Sequence, residues 1–361
     1  MNRIPLTKPV LGDEELAEVK AVLESGYLVS GPRVAAFEAA LSARLAGHTC
    51  VAVGNGTMAI HLALVGLGVG PGDEVIVPDF CFPSVASAVM YTGAVPVLCD
   101  VDPDTFNLDP ERAARALSPR TKAVLAVHQF GIPCGARALA AALPCPVVED
   151  AACALGAFDD DGPCGAVTDL GCFSFHPRKV LTTAEGGLVA ARDPAIADRL
   201  RTLRNHGMRR VDGALEFAEV GYADRMSDVH AAIGLGQLRR LDAMLAGRKR
   251  AAMRYREALP ARVLAPPAVW HPGRVYQGLV VRVEGDRDAV IAAMRERGIE
   301  TTVGTHAIHQ QAPFASRCRT AEGGLAGSIL AARTSLTLPL WPGMPDADID
   351  RVVTTLGELL T

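Results

Sequence analysis

Lysine is scarce in this chain. Of 36 basic residues only five are lysines, Lys8, Lys20, Lys122, Lys179 and Lys249; all the others are arginine. No run of five like charges occurs and the net charge is −4, which argues against nucleic acid or an anionic membrane surface as a partner. No stretch of about 18 apolar residues exists, so no membrane span is expected. The N-terminal MNRIPLTKPV lacks the apolar core of a signal peptide, so a cytoplasmic location is expected. The nine cysteines are odd in number and form no CxxC pair. This speaks against a disulfide framework and a metal site, and suits small buried hydrophobes in a reducing compartment. What is present is a 361-residue chain, 49% hydrophobic and 21% charged, enough for a large core and two domains.

From about residue 50 to 190, short apolar runs alternate with helical patterns. TCVAVG, DEVIVP, VPVLCDV, KAVLAVH and CPVVEDA read as strands, separated by helices such as TMAIHLALVGLG and FPSVASAVMYTG. Strands apolar throughout and separated by helices predict an α/β fold, with a mostly parallel sheet covered on both faces. GCFSFH and GGLVAAR add two strands too close together for a helix between them. The segment from Met226 to Leu259 has helical periodicity over more than thirty positions, and a break near Gly247 is expected. A smaller C-terminal α+β unit follows, so the expected domains are 1–245, with an N-terminal helical segment, and 246–361.

Three local features carry chemistry. In VAVGNGTMAIHLAL, a strand ends, Gly54-Asn55-Gly56 turns, and a helix starts at Thr57. Free N–H groups at a helix start, approached closely through glycines, form an anion site for a phosphate at Thr57 and Met58. Taken alone, the same pattern reads more readily as a capped tight turn. CPVVEDAACALGA ends an apolar strand with Glu149 and Asp150, at the strand end where parallel sheets bind ligands. A carboxylate there holds a cation, a ribose or a protonated ring nitrogen, or it is a cap or structural ion pair. Lys179 follows the aromatic block Cys172-Phe173-Ser174-Phe175. In an apolar cleft a lysine loses its proton readily and becomes a nucleophile able to form a Schiff base; the alternative is a surface lysine on a turn. Ser174, five residues earlier, is close enough to reach the same ligand. A phosphate cup, an acid after a buried strand and a Schiff-base lysine together suggest pyridoxal phosphate.

Nearly end to end, the chain resembles the DegT/StrS-like nucleotide-sugar aminotransferase family of fold-type-I pyridoxal phosphate enzymes. The resemblance rests on SGYLVSGPRVAAFEAAL, GDEVIVPDFCFPSVASAV, PVLCDVDPDTFNLD, VVEDAACALGA, GCFSFHPRKVLTTAEGG, LRNHGM, RMSDVHAAIGLGQLRRLD and LTLPLWPGMPDADIDRVV. It implies that Lys179 holds the cofactor as an aldimine and moves the proton, and that Asp150 partners the pyridine nitrogen. By the same resemblance Phe82 stacks on the ring, and Gly56, Thr57, Met58 and Ser174 form the phosphate cup. Arg225 would reach the cofactor of a neighbouring subunit, giving a homodimer with shared active sites. Tyr27, Asn205 and His206 fall toward the substrate. His306 and His309, in GTHAIHQQAPF, either line the sugar site or are loop histidines.

The chain departs from the family pattern at three places. Cys153 stands where many members carry Gln or His near the cofactor's phenolic oxygen, and a thiol is the weaker hydrogen-bond partner. Ala223 replaces an Asn that contacts the partner subunit's phosphate. Ala184 replaces a frequent Gly. The implied reaction is ping-pong transfer of an amino group from L-glutamate, or L-glutamine, to a keto sugar on a nucleotide. An aminocyclitol aminotransferase shares this chemistry. A sugar dehydratase, which carries histidine in place of the lysine, and a non-catalytic relative both fit less well.

Overall fold

In the computed structural model, residues 3–360 are described. The chain opens with α1 (Asp13–Ser25) and α2 (Pro32–Arg44), then β1 (Thr49–Val53) and α3 (Gly56–Gly66). Next come β2 (Glu74–Pro78), β3 (Phe80–Cys81), α4 (Ser84–Tyr91), β4 (Val95–Cys99), α5 (Pro110–Arg115) and β5 (Thr121–Val127). They are followed by α6 (Ala136–Ala142), β6 (Val147–Asp150) and a small hairpin of β7 (Phe158–Asp159) and β8 (Gly162–Pro163). β9 (Leu170–Ser174), β10 (Gly187–Ala191) and α7 (Pro194–Arg204) complete the alternating region.

These strands form one sheet in the order β1-β10-β9-β6-β5-β2-β4, extended at the far edge by β17 (Arg319–Thr320). Only β10 runs against the others. The loop between β9 and β10 is too short for a crossover helix, so the chain must return antiparallel. β1 shows how both faces are covered. Val51 and Val53 join the cluster under α3 and α4, whereas Cys50 and Ala52 join the cluster under α2 and the long helix α8.

After the exposed hairpin β11 (Met208–Val211) and β12 (Ala214–Phe217), α8 runs from Asp228 to Ala258. Ser227 caps it by accepting the His230 N–H at 3.2 Å. The break expected near Gly247 does not occur. Leu238, Leu241 and Met244 bury into the core of the large unit; Ala251, Ala252 and Tyr255 bury into that of the small one. Packing at both ends outweighs the roughly 1 kcal/mol that a glycine costs a helix.

The C-terminal part comprises β13 (Val263–Leu264), β14 (Leu279–Val283), α9 (Arg287–Glu296), β15 (Thr302–Val303), β16 (His306–Ala307) and α10 (Ala312–Ala315). β17, α11 (Ala326–Thr334), β18 (Ser335–Leu338) and α12 (Asp346–Leu359) end it. Its own sheet has the order β13-β14-β18-β15 and is antiparallel. We propose residue 245, inside α8, as the seam between the two units. Several segments cross that seam, three of them as follows. Ile4 exchanges backbone hydrogen bonds with Gly298 and Glu300, β16 pairs with β3, and β17 joins the large sheet. Among the described residues no helix is long and apolar enough to cross a membrane.

Candidate functional site

β1, β2, β6 and β9 point the same way, so their carboxyl ends share one edge of the sheet. There the structure gathers the turn before α3, Phe82, Asp150, Cys153, Ser174 and Lys179.

The adjacent carboxylates at the end of β6 part company because neighbouring strand residues face opposite sides. Glu149 is fully buried and accepts from the N–H groups of Gly165 (2.7 Å), Val167 (2.9 Å) and Thr168 (2.7 Å) and from the Thr168 hydroxyl. His128 Nε2 lies 2.9 Å from its other side. The Cys134 N–H donates to His128 Nδ1, so Nε2 carries the proton toward Glu149. Burial pushes the Glu149 carboxyl up, but the His128 contact and the N–H donors outweigh it and the net shift is down. Glu149 is therefore a structural knot. A depressed folded-state pKa contributes stability above the unfolded value near 4.5, and that stability is lost as pH falls through the folded value. Glu149→Ala strands these donors, and urea titration at pH 7 is expected to show a loss of about 3–5 kcal/mol. The difference from wild type should shrink in acid.

Asp150 is only 6% exposed. Its Oδ1 accepts the Ala152 N–H at 2.9 Å, and its other oxygen has no hydrogen-bond partner among the described residues. Burial raises its pKa, and the Ala152 N–H, Lys179 and His128 oppose the rise only in part. A buried carboxylate with a free oxygen beside an open edge suits a cationic ring nitrogen.

Asn55 caps α3 by accepting the Met58 N–H at 3.0 Å. The Met58 amide therefore has a partner within the chain. The Gly56 and Thr57 amides have no acceptor among the described residues and remain for an anion. Two glycines make the cup. A Cβ at Gly56 would lie 2.7 Å from Ser174 Cβ, and one at Gly187 would lie 2.3 Å from the Asn55 carbonyl oxygen. Ser174 thus stands against the first turn of α3. Gly187→Ala presses on backbone; we expect it to cost about 1–3 kcal/mol and to weaken phosphate binding, read by cofactor titration.

Lys179 sits in the loop after β9, half-buried rather than in a closed apolar cleft. Its N–H donates to the His176 carbonyl, and Gln277 of the small unit holds the preceding Arg178 carbonyl at 2.8 Å. Its amine donates to the Cys153 sulfur at 3.2 Å. Ala184 closes the same loop at φ +68°, where an alanine pays roughly 1 kcal/mol that a glycine does not.

Phe82 is 65% exposed and borders a cleft of about 340 Å³ with Thr57, Ser84, Tyr91, His306 and Gln311. Lys179 and Asp150 do not line that cleft, which shares only Thr57 and Phe82 with the cluster at the sheet edge. His309 does not line it either. Asp79, fully buried, accepts both its N–H (2.9 Å) and its Nδ1 (2.7 Å). That fastening, with β16 on β3, brings the C-terminal loop to the stretch carrying Phe82.

Arg225 donates to Asn205 at 3.1 Å. The two are linked to the cup through Asp224, which accepts the Gly54 N–H at 3.0 Å. Tyr27 and His206 are exposed, and no hydrogen bond joins them to the Lys179 cluster among the described residues. The roles of Asp79, Asp224 and Gln277 escaped sequence reading because each acts across more than 90 residues of chain. Asp79 offered one signal, an acid directly before the FCF aromatic pair.

Residues 9–357 match the model of the DegT/DnrJ/EryC1/StrS aminotransferase family. The aminotransferase TlmJ from Streptoalloteichus hindustanus is 36% identical, with TM-score 0.92, the match covering 99% of this chain and 98% of that one. DesI, solved in the presence of its TDP-sugar product, is 30% identical, with TM-score 0.92 and coverage of 100% and 94%. The PLP-form of Spr1654 from Streptococcus pneumoniae is 27% identical, with TM-score 0.90 and coverage of 99% and 100%; it has also been solved in a PMP-form. With the anion cup, the buried acid and the amine in place at one sheet edge, the chain belongs to the DegT/DnrJ/EryC1/StrS aminotransferase family, and its cofactor is pyridoxal 5'-phosphate.

Proposed function

We propose that this aminotransferase moves an amino group from L-glutamate, or L-glutamine, to a keto sugar carried on a nucleotide, in two half-reactions. The observation that carries this reading is the open cleft beside Phe82, continuous with the anion cup at Thr57 and bordered by polar His306 and Gln311. DesI, seen with a TDP-sugar product, supports a sugar nucleotide as the acceptor.

Pyridoxal phosphate, when bound, supplies an exchangeable carbonyl carbon and a ring that accepts electrons. The chain's own residues do the rest. Gly56, Thr57 and Ser174 hold the phosphate with two amides and a hydroxyl. Asp150 holds a proton on the ring nitrogen by offering a buried negative charge. Phe82 covers the ring face. Lys179 would anchor the cofactor and, as a free amine, would take up the proton lost from the donor carbon. His306 faces the acceptor, and the Asp79–His309 fastening sets its loop.

Arg225, Asn205, His206 and Tyr27 we assign to the cleft of a second copy, in a homodimer. The exposed Tyr27, Leu28, Val29, Phe82 and Tyr91, with Phe217 of the hairpin, support such a contact. The test is to incubate the purified protein with L-glutamate, follow the cofactor's visible spectrum, then add a TDP-linked keto sugar and analyse the products. Conversion by glutamate and recovery with an amino sugar support the reading. If glutamate and glutamine both leave the spectrum unchanged, the donor is wrong. If the sugar alone fails, the acceptor is. Sedimentation tests the dimer.

A further inference from the structure

Lys179 and Cys153 form the one contact at the sheet edge that the transfer reaction does not already explain. Six of the nine cysteines are buried, and Cys145, Cys153 and Cys318 are partly exposed. Of those three, Cys153 is the one whose sulfur accepts from an ammonium. Burial pushes the Cys145 thiol up and the Cys318 thiol to about 11, which leaves both poorly reactive at neutral pH.

We propose that Cys153 is a positioning residue that shares a proton with Lys179 and is for that reason the reactive thiol of the protein. In one state the pair is ammonium and thiolate. When the proton crosses from nitrogen to sulfur, the N–H bond breaks, the S–H bond forms, and a free amine faces a neutral thiol with no change in net charge. At 3.2 Å the Lys179 amine and the Cys153 sulfur are in direct hydrogen-bond contact, so a proton passes between them without a bridging group. A glutamine at this place offers no such second owner. The thiol thus keeps Lys179 aimed across the loop and stores its proton while the amine is in use. The catalytic consequence rests on the reading of Lys179 as the cofactor's lysine; the pair itself does not.

Other groups face this pair. Asp150 at the end of β6 acts on Lys179, as does His176 in the same loop beside Arg178. Arg274, buried against Tyr276, acts on Cys153 from the small unit. None of them changes in the variants below, so a shifted profile reports the Lys179 charge.

The experiment is alkylation of the full-length protein with iodoacetamide from pH 5.5 to 9.5, with the Cys153 peptide quantified by mass spectrometry. Wild type, Lys179→Ala and Lys179→Arg are compared, each with and without pyridoxal phosphate, and their melting curves confirm folding. At pH 7 Cys153 is expected to react about tenfold faster in wild type than in Lys179→Ala. Lys179→Arg, which keeps a cation, should be labelled as wild type is at each pH. Equal profiles in wild type and Lys179→Ala overturn the proposal. Cofactor should slow labelling in wild type. A profile that shifts while cofactor protects nothing upholds the pair and instead sinks the reading of Lys179 as the cofactor's lysine.

Discussion

Lys179→Ala is expected to lower amino transfer by about 10³-fold or more while leaving the protein folded. The side chain is half-buried, at the tip of a loop fixed by the His176 carbonyl and by Gln277, so its removal opens no core cavity. Its chemistry has no substitute nearby, because no second lysine lies in the loop or in the strands flanking it. Lys179→Arg should be nearly as inactive. A guanidinium keeps the charge but neither adds to a carbonyl nor gives up its proton at neutral pH. Steady-state assays with a small-molecule amine added back check this. Partial rescue of the alanine variant by the amine fits a missing base, and activity of the arginine variant near that of wild type would refute the role.

The second large effect belongs to Asp150, and its sign depends on the cofactor. In the cofactor-free protein burial raises the Asp150 pKa above 3.8. A carboxyl whose folded-state pKa is raised contributes stability only at low pH, and that contribution is lost as pH rises through the folded value. Asp150→Asn is therefore expected to melt no lower than wild type at neutral pH without cofactor, and the two should converge below about pH 4. With cofactor the order should reverse, because on the proposed reading the ring nitrogen loses its charged partner. Turnover should fall about 10²–10³-fold, and cofactor should raise the melting temperature less than in wild type. Thermal melts across pH, with and without cofactor, separate the two outcomes. A variant destabilised without cofactor would mean that Asp150 is structural, as Glu149 is.

The pairing of Glu149 with Asp150 shows how far the sequence reaches. The strand and its position before a catalytic edge are legible in CPVVED, because an apolar run ending in acids has one place in a parallel sheet. Which acid faces the edge is not, because that follows from the donors of Gly165 to Thr168 folding back on Glu149. The anion turn is legible in GNGT, yet the Met58 amide turned out to be spent on Asn55, a local choice of cap that the pattern leaves open. Lys179 stood out by rarity and context. Its neighbour Cys153 was read through the family pattern as a contact of the cofactor, and the contact with the amine itself appears only where two loops meet.

By itself the sequence determined the layered α/β core, the order of strands and helices and the cofactor class, and it singled out the lysine proposed to serve that cofactor. Those follow from periodicity, glycine placement and residue chemistry, which are local. Only the tertiary structure decided that α8 runs unbroken through Gly247, that Asp79 fastens His309 beside Phe82, and that Cys153 meets Lys179. Each of these depends on contacts between segments far apart in the chain, whose energies are set by packing and burial that no single segment encodes.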